Sequence, residues 1–226
     1  MGLKMEDVER LESIVKRSRP LHRGDQLFRR GDRFEALYVV KTGTVKTYAP
    51  SGEHGSEQVL GFHLPGELLG LDAIDRDCHV CSAKVLETAA ICEIPFQRFE
   101  ELAARVPSLQ RQMYRLLSKE IVQDSEMLLL LGKKSAEERL ATFLLSLSQR
   151  LSRRGLSPTD FYLSMSRHEI GSYLGLAVET VSRLFTRFHE EGILGVDRKH
   201  VRLIDLAALE TLSDNAPSTH RHQRSN

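Results

Sequence analysis

The sequence predicts an α+β chain in three parts: an N-terminal antiparallel β-roll, one long helix, and a C-terminal winged helix-turn-helix. Three observations predict it. Between Leu21 and about Phe99, short β-rich runs alternate with glycine turns (LFRRGD, ALYVVKTGTVKTYAP, EQVLGFHLPGELLG, SAKVLETAAICEIPF), the pattern of an antiparallel barrel or jelly roll. From Pro107, apolar residues recur at spacings of three and four over about 24 residues. Residues 166–194 then read SRHEIGSYLGLAVETVSRLFTRFHEEGIL, two short helical patterns either side of a small glycine-bearing turn.

Residues 6–17, EDVERLESIVKR, place Val8, Leu11, Ile14 and Val15 on one face of a short amphipathic helix, which Pro20 ends. Within the roll, glycines 24, 31, 43, 52, 61, 66 and 70 supply turns and tight approaches. Residues 96–106 read as a helix, and Pro107 opens the next. Its stripe is Leu109, Met113, Leu116, Leu117, Ile121 and Leu128. A helix with such a stripe either packs on its own roll or pairs with its copy in a homodimer. Asp124 lies beside the stripe, where a parallel pair would bring like charges together and weaken the dimer. Residues 135–151 form a further helix, with Ser135 and Glu138 as a capping box. SRRGLSPTDF reads as a turn, VDRKHVRLID as a strand pair, and 206–213 as a helical stub. The polar tail, 214–226, reads as disordered. The expected boundaries are 1–106 for the roll with its leading helix, 107–132 for the dimer helix and 133–213 for the DNA-binding part.

Composition narrows the function classes. No run of 18 apolar residues occurs, so no membrane span or membrane partner is expected. The N-terminus MGLKMEDVERL has no apolar signal-peptide core. The cysteines Cys78, Cys81 and Cys92 are odd in number, which fits a reducing cytoplasm. Net charge is +1, but residues 133–226 carry 14 Lys+Arg against 11 Asp+Glu, a mild excess that permits a nucleic-acid face. No phosphate loop, HExxH, GxSxG or paired catalytic carboxylates appear, so an enzyme is not expected.

The 166–194 stretch carries the chemistry. Ser166 and Glu169 form a second capping box, and Gly175 ends the first helix in a conformation glycine adopts cheaply. On the second helix, Val181, Leu184, Phe185 and Phe188 can face inward, while Glu179, Ser182 and Arg183 cluster on another side. In DNA readers the second helix enters the major groove. Arginine can bond guanine bidentately, glutamate can accept from the cytosine amino group, and serine can do either. Arg167, Arg187, Arg198 and Lys199 flank the helix and suit phosphates. The bland alternative is a solvated helix face on a dimeric scaffold that binds no DNA; it predicts that charge reversal at Arg183 leaves function intact.

At this point the sequence resembles the Crp/Fnr superfamily of bacterial transcription regulators, and within it the fumarate–nitrate reduction (anaerobic) regulators. The resemblance runs from about Val8 to Leu212. Its most specific pieces are GFHLPGELLGLDAI (61–74), LETAAICEIPF (86–96), LLLLGKKSAEERLATFL (128–144) and YLGLAVETVSRLF (173–185). It implies a cyclic-nucleotide-binding-like roll, a dimer helix and a winged helix-turn-helix on a two-fold promoter site with TTGAT-type half-sites. Glu179, Ser182 and Arg183 match the family's base-reading residues, and Asp124 matches the aspartate that weakens the dimer. Loops of the roll would touch RNA polymerase, which implies mainly activation.

Sensing departs from the pattern. The resemblance implies an oxygen-labile [4Fe–4S] cluster on four cysteines. Cys92 matches the fourth, whereas the segment bearing the other three would lie just upstream of Met1. Either the chain is shortened or its start misassigned, or it does not sense oxygen this way. Two substitutes are open: a metal site on Cys78, Cys81 and Cys92, with His79 as a possible extra ligand, or redox thiols in CHVC. Gly66 and Glu67 resemble the sugar-binding corner of cyclic-AMP-binding relatives. The stretch that should supply the phosphate's arginine is DCHVCSA, which has none, so no cyclic nucleotide is expected.

Overall fold

The computed structural model describes residues 5–17, 19–51 and 56–214. Its chain divides into two units between Asp124 and Ser125.

In the first unit, the elements run α1 (Met5–Ile14), β1 (Lys16–Arg17), β2 (Gln26–Phe28), β3 (Ala36–Thr42), β4 (Val45–Ser51), β5 (Ser56–His63), β6 (Leu68–Leu69), a 3-10 turn (Leu71–Ala73), β7 (Ser82–Val85), β8 (Ala90–Pro95), α2 (Phe96–Arg105) and the start of α3 (Pro107–Lys133). Two four-stranded antiparallel sheets form, in the orders β1-β8-β3-β6 and β2-β7-β4-β5. Side-chain alternation explains how they pack. Along β3, Tyr38 and Val40 point into the space between the sheets, where they meet Phe28, Val45, Val85 and Ile91. Leu37 and Val39 point the other way, into a second cluster with Phe34, Ile94 and Phe99. Leu11 and Ile14 of α1 and Met113 of α3 pack against that second cluster. The sequence-predicted first helix is shortened: α1 stops at Ile14, and Lys16 and Arg17 pair with Glu93 and Cys92 as an edge strand.

The second unit continues from α3 through α4 (Ala136–Ser152), β9 (Asp160–Tyr162), α5 (Arg167–Leu174), α6 (Val178–Glu190), β10 (Leu194–Asp197), β11 (His200–Leu203) and α7 (Leu206–Asp214). β9 overlaps the end of the stretch expected as a turn. It pairs antiparallel with β11, matching Val201 to Phe161, and completes a three-stranded sheet. Only Phe161 of its three residues is buried, so its alternation is too short to stand out beside the preceding Gly, Ser and Pro. The apolar faces of α4, α5 and α6 close over Leu140, Leu144, Ile170, Leu174, Val181 and Phe188, all fully buried.

The long helix corrects one expectation. Leu109 is 3% exposed and Met113 packs into the roll's second cluster, so the first two residues of the stripe serve their own domain rather than a partner. Leu116 and Leu117 are half-buried. The solvent-facing part begins later: Ile121 is 66% and Leu128 73% exposed, with Asp124 exposed between them. Tyr114, absent from the expected stripe, is also exposed and lies seven residues before Ile121. Of the tail expected to be disordered, 215–226 lies outside the described residues.

Candidate nucleic-acid interface

Two capping boxes fix the helices that build the reading face. Ser135 and Glu138 cap α4 reciprocally, and Ser166 and Glu169 cap α5 in the same way. Gly175 ends α5 at φ 63°, in the left-handed region, and Leu176 N–H returns to the Gly171 carbonyl at 2.9 Å. Gly171 has a steric role as well: a Cβ there would lie 2.6 Å from the Leu176 carbonyl oxygen. The turn therefore closes against bare backbone and launches α6 at Val178.

Burial sorts α6 into two faces. Val181, Leu184, Phe185 and Phe188 are buried, while Glu179, Ser182, Arg183 and Thr186 are exposed. The structure thus brings Glu179, Ser182 and Arg183 together on one open helical surface. Ser182 Oγ donates to the Val178 carbonyl at 2.9 Å, and an Arg183 guanidinium nitrogen approaches Thr180 Oγ1 at 3.5 Å. Both contacts stay within the helix.

The four basic residues expected at phosphates divide into two pairs. Arg167 lies with its guanidinium carbon 3.2 Å from the centre of the Phe185 ring, and burial lowers its pKa to about 10. Arg187 pairs with Glu137 and, at 3.4 Å, with Glu191. These two arginines brace α6 from within the unit. Arg198 and Lys199 are exposed in the turn between β10 and β11, with Lys199 Nζ 3.2 Å from the Ser164 carbonyl oxygen. Sequence reading missed a neighbouring group. Tyr162 on β9 is 77% exposed and stacks on His200 at 4.7 Å, and His200 Nε2 lies 2.6 Å from Asp160 Oδ1. No local signal gave it, because β9 and β11 are joined only by sheet pairing.

In the roll, Cys81 and His79 turn inward onto Asp72. Cys81 is buried in the core between the sheets, and its thiol donates to Asp72 Oδ2 at 3.4 Å. Burial and the adjacent carboxylate push the Cys81 thiol up to about 12. Asp72 also accepts from Val80 N–H at 2.9 Å. Burial alone would raise the Asp72 carboxyl, but the neighbouring His79 ring, Val80 N–H and Cys81 thiol outweigh it and hold it below its ordinary value. His79 is only 2% exposed, stacks on Phe28 at 3.7 Å, and holds Nδ1 3.5 Å from Asp72 Oδ1.

The three cysteines are not gathered. Cys92 lies opposite Val39 on the helix-covered face of its sheet, Cys81 lies in the core on the other side, and Cys78 bridges to Arg33. Among the described residues no group of three or more His, Cys, Asp or Glu could hold a metal ion. This overturns the substitute site on Cys78, Cys81 and Cys92. A thiol kept protonated by burial and an anion is also the opposite of what a cluster ligand requires. The described residues therefore do not fit a [4Fe–4S] cluster by themselves. The corner expected to resemble a sugar site is engaged internally too: Glu67 Oε2 accepts Leu64 N–H at 2.9 Å, and Ser82 Oγ accepts Arg30 N–H at 3.0 Å.

Residues 18–106 match the cyclic nucleotide-binding domain, and 138–212 match the Crp-like helix-turn-helix domain. The chain is 52% identical over 205 residues to the transcriptional activator protein Anr of Pseudomonas protegens, covering 91% of this chain and 84% of that one. It is 46% identical over 207 residues to the fumarate and nitrate reduction regulatory protein of Escherichia coli, covering 92% and 82%. The solved structure of FixK2 from Bradyrhizobium japonicum superposes with a TM-score of 0.82 at 30% identity, covering 90% of this chain and 99% of that one. No helix among the described residues is long and apolar enough to cross a membrane. Reading helix, roll and sequence relatives converge: the chain belongs to the Crp/Fnr family of DNA-binding transcription regulators, not enzymes, and within it to the Fnr/Anr type of activator.

Proposed function

We propose that two copies of the chain pair along α3 and read a two-fold-symmetric promoter site in the cytoplasm, with Glu179, Ser182 and Arg183 of each copy meeting the base edges of one TTGAT-type half-site. The observation that carries this is the two-faced α6. Its buried side is anchored by Phe185 and Phe188, and its open side offers one carboxylate, one hydroxyl and one guanidinium in adjacent turns. Those groups match the donors and acceptors of the major groove. Arg198 and Lys199 meet phosphates from the turn beyond, while Arg167 and Arg187 hold the helix that reads.

Tyr114, Ile121 and Leu128 repeat every seven residues and form the seam of the pair, joined by half-buried Leu117. Asp124 sits in that seam and weakens it through like charge, so dimer formation is responsive to whatever biases the roll. Surface loops of the roll contact RNA polymerase.

The test is titration of a duplex carrying two inverted TTGAT half-sites against one of scrambled sequence. The unsubstituted chain prefers the specific duplex by at least about 10³-fold. Arg183→Glu abolishes that preference and leaves the unfolding temperature unchanged. Binding of neither duplex by the unsubstituted chain would favour the scaffold reading instead, and equal binding of both would remove the base-reading role of Glu179, Ser182 and Arg183.

A further inference from the structure

Arg139 stands in the first turn of α4, away from the reading face. Its guanidinium donates to three backbone carbonyls: Nε to Lys134 at 2.9 Å, Nη2 to Leu131 at 2.8 Å and Nη1 to Leu174 at 3.0 Å. Leu131 lies in the last turn of α3, and Lys134 immediately follows that helix. Leu174 is the last residue of α5, just before the turn that launches α6. Helix ends leave such carbonyls without intrahelical partners and carry partial negative charge. One planar guanidinium therefore joins the negative ends of two helices with a fork that an ammonium cannot reproduce.

The same residues meet at Gly175. A Cβ on Gly175 would lie 3.4 Å from Arg139 Nη1 and 3.5 Å from Leu131 Cδ2. The end of α3, the start of α4 and the turn of the helix-turn-helix thus meet at Gly175, all within the second unit. Leu128, the exposed apolar residue of the proposed seam, is one turn back from Leu131 on α3.

We propose that Arg139 is a positioning residue for DNA reading: it fastens the turn before α6 to the end of α3, so that pairing of two α3 helices fixes the direction of both recognition helices. This rests on the paired-reading function above. Without the clamp each copy still reads a half-site, but the two are no longer held one helical turn apart.

The experiment uses the full chain carrying Asp124→Ala, in which pairing is favoured, with Arg139 intact or changed to Lys or Met. Each preparation is titrated by fluorescence anisotropy against two duplexes, one with two inverted TTGAT half-sites and one with a single half-site scrambled. With Arg139 intact, simultaneous engagement gives the two-site duplex an advantage of about 10²-fold or more. Both variants are expected to bind the single half-site within about threefold of the intact chain and to lose at least about tenfold of the two-site advantage. If the Met variant does not fold, the Lys variant still decides, because it keeps length and charge but not the fork. A lower unfolding temperature with the two-site advantage unchanged means simple helix capping and overturns the proposal. A Lys variant with the full advantage overturns it too. No two-site advantage even with Arg139 intact sinks the paired-reading function itself, and this inference with it.

Discussion

The roll's core and the α6 helix use their polar side chains in opposite ways. In the roll, Asp72, His79 and Cys81 turn inward onto each other, and buried Lys46 pairs with Glu57 at 2.7 Å. On α6, Glu179, Ser182 and Arg183 turn outward, while the buried face beneath them, Val181, Leu184, Phe185 and Phe188, is wholly apolar. Inward polar groups that are paired where they sit hold the fold. Outward ones are already solvated and contribute little to it. Removing a charge should therefore damage stability in the roll's core and recognition on the open face of α6.

The largest effect tests the first half of that contrast. Asp72→Ala deprives Val80 N–H, Cys81 N–H and the Cys81 thiol of one shared acceptor. It is expected to cost about 3 kcal/mol of stability in the roll, because hydrogen bonds to a charged acceptor are the stronger kind. Calorimetry of the full chain should show the roll's transition move and the other unit's stay. The pH dependence has a definite sign. The Asp72 carboxyl lies below its ordinary value, so its stabilisation is complete above about pH 4 and fades as pH falls. Asp72→Ala should flatten that acid slope. The Cys81 thiol lies at about 12, so its contribution is complete below its ordinary value and is lost as pH climbs from there. An unshifted roll transition in the variant would mean that this polar group does not hold the fold.

Arg183→Ala is the reverse experiment. It is expected to leave both transitions in place and weaken specific DNA binding by about 1–3 kcal/mol per half-site, relaxing the preference at one base pair. A stability loss without a change in specificity would assign Arg183 to the fold.

A third substitution falls between these two. Ser166→Ala removes the side chain that caps α5, so about 1 kcal/mol should leave the second unit alone. Specificity per bound molecule should stay as it was, and a competition titration between the two duplexes would check it.

The contrast also explains what could be read from the sequence. The reading unit announces itself locally. Ser166 and Glu169 are three residues apart, Gly175 follows α5 directly, and Glu179, Ser182 and Arg183 fall within two turns. Such groups share a site because helical geometry alone brings them together. The roll's groups meet only after sheets form. Asp72 and Cys81 are nine residues apart, and Cys92 faces away from Cys81 because it lies on the other face of a strand. Spacing in the CHVC stretch suggested a metal site that pairing does not build. The stripe of α3 fails for a related reason. Its period was legible, but Leu109 and Met113 are claimed by the second cluster, and no periodicity tells which neighbour claims a face. β9 was lost in the same way, since its partner β11 lies some forty residues on in the chain.

The smallest expected effect sharpens the comparison most, because stability and function should separate at one residue. Arg198 stands at the turn of the β10–β11 pair with φ 54°, in the left-handed region. That conformation costs a side-chain-bearing residue about 1 kcal/mol relative to glycine. Glycine would relieve it, at a comparable loss from the greater freedom of its unfolded chain. Arg198→Gly should therefore change the second unit's stability by no more than about 0.5 kcal/mol. If Arg198 meets a phosphate, the same change should weaken binding to specific and scrambled duplexes alike and reduce the salt dependence by about one counterion per copy. An unchanged salt slope would remove Arg198 from the DNA interface. A residue kept in a strained turn, dispensable for folding and required for the salt slope, would be held there by the phosphate it meets.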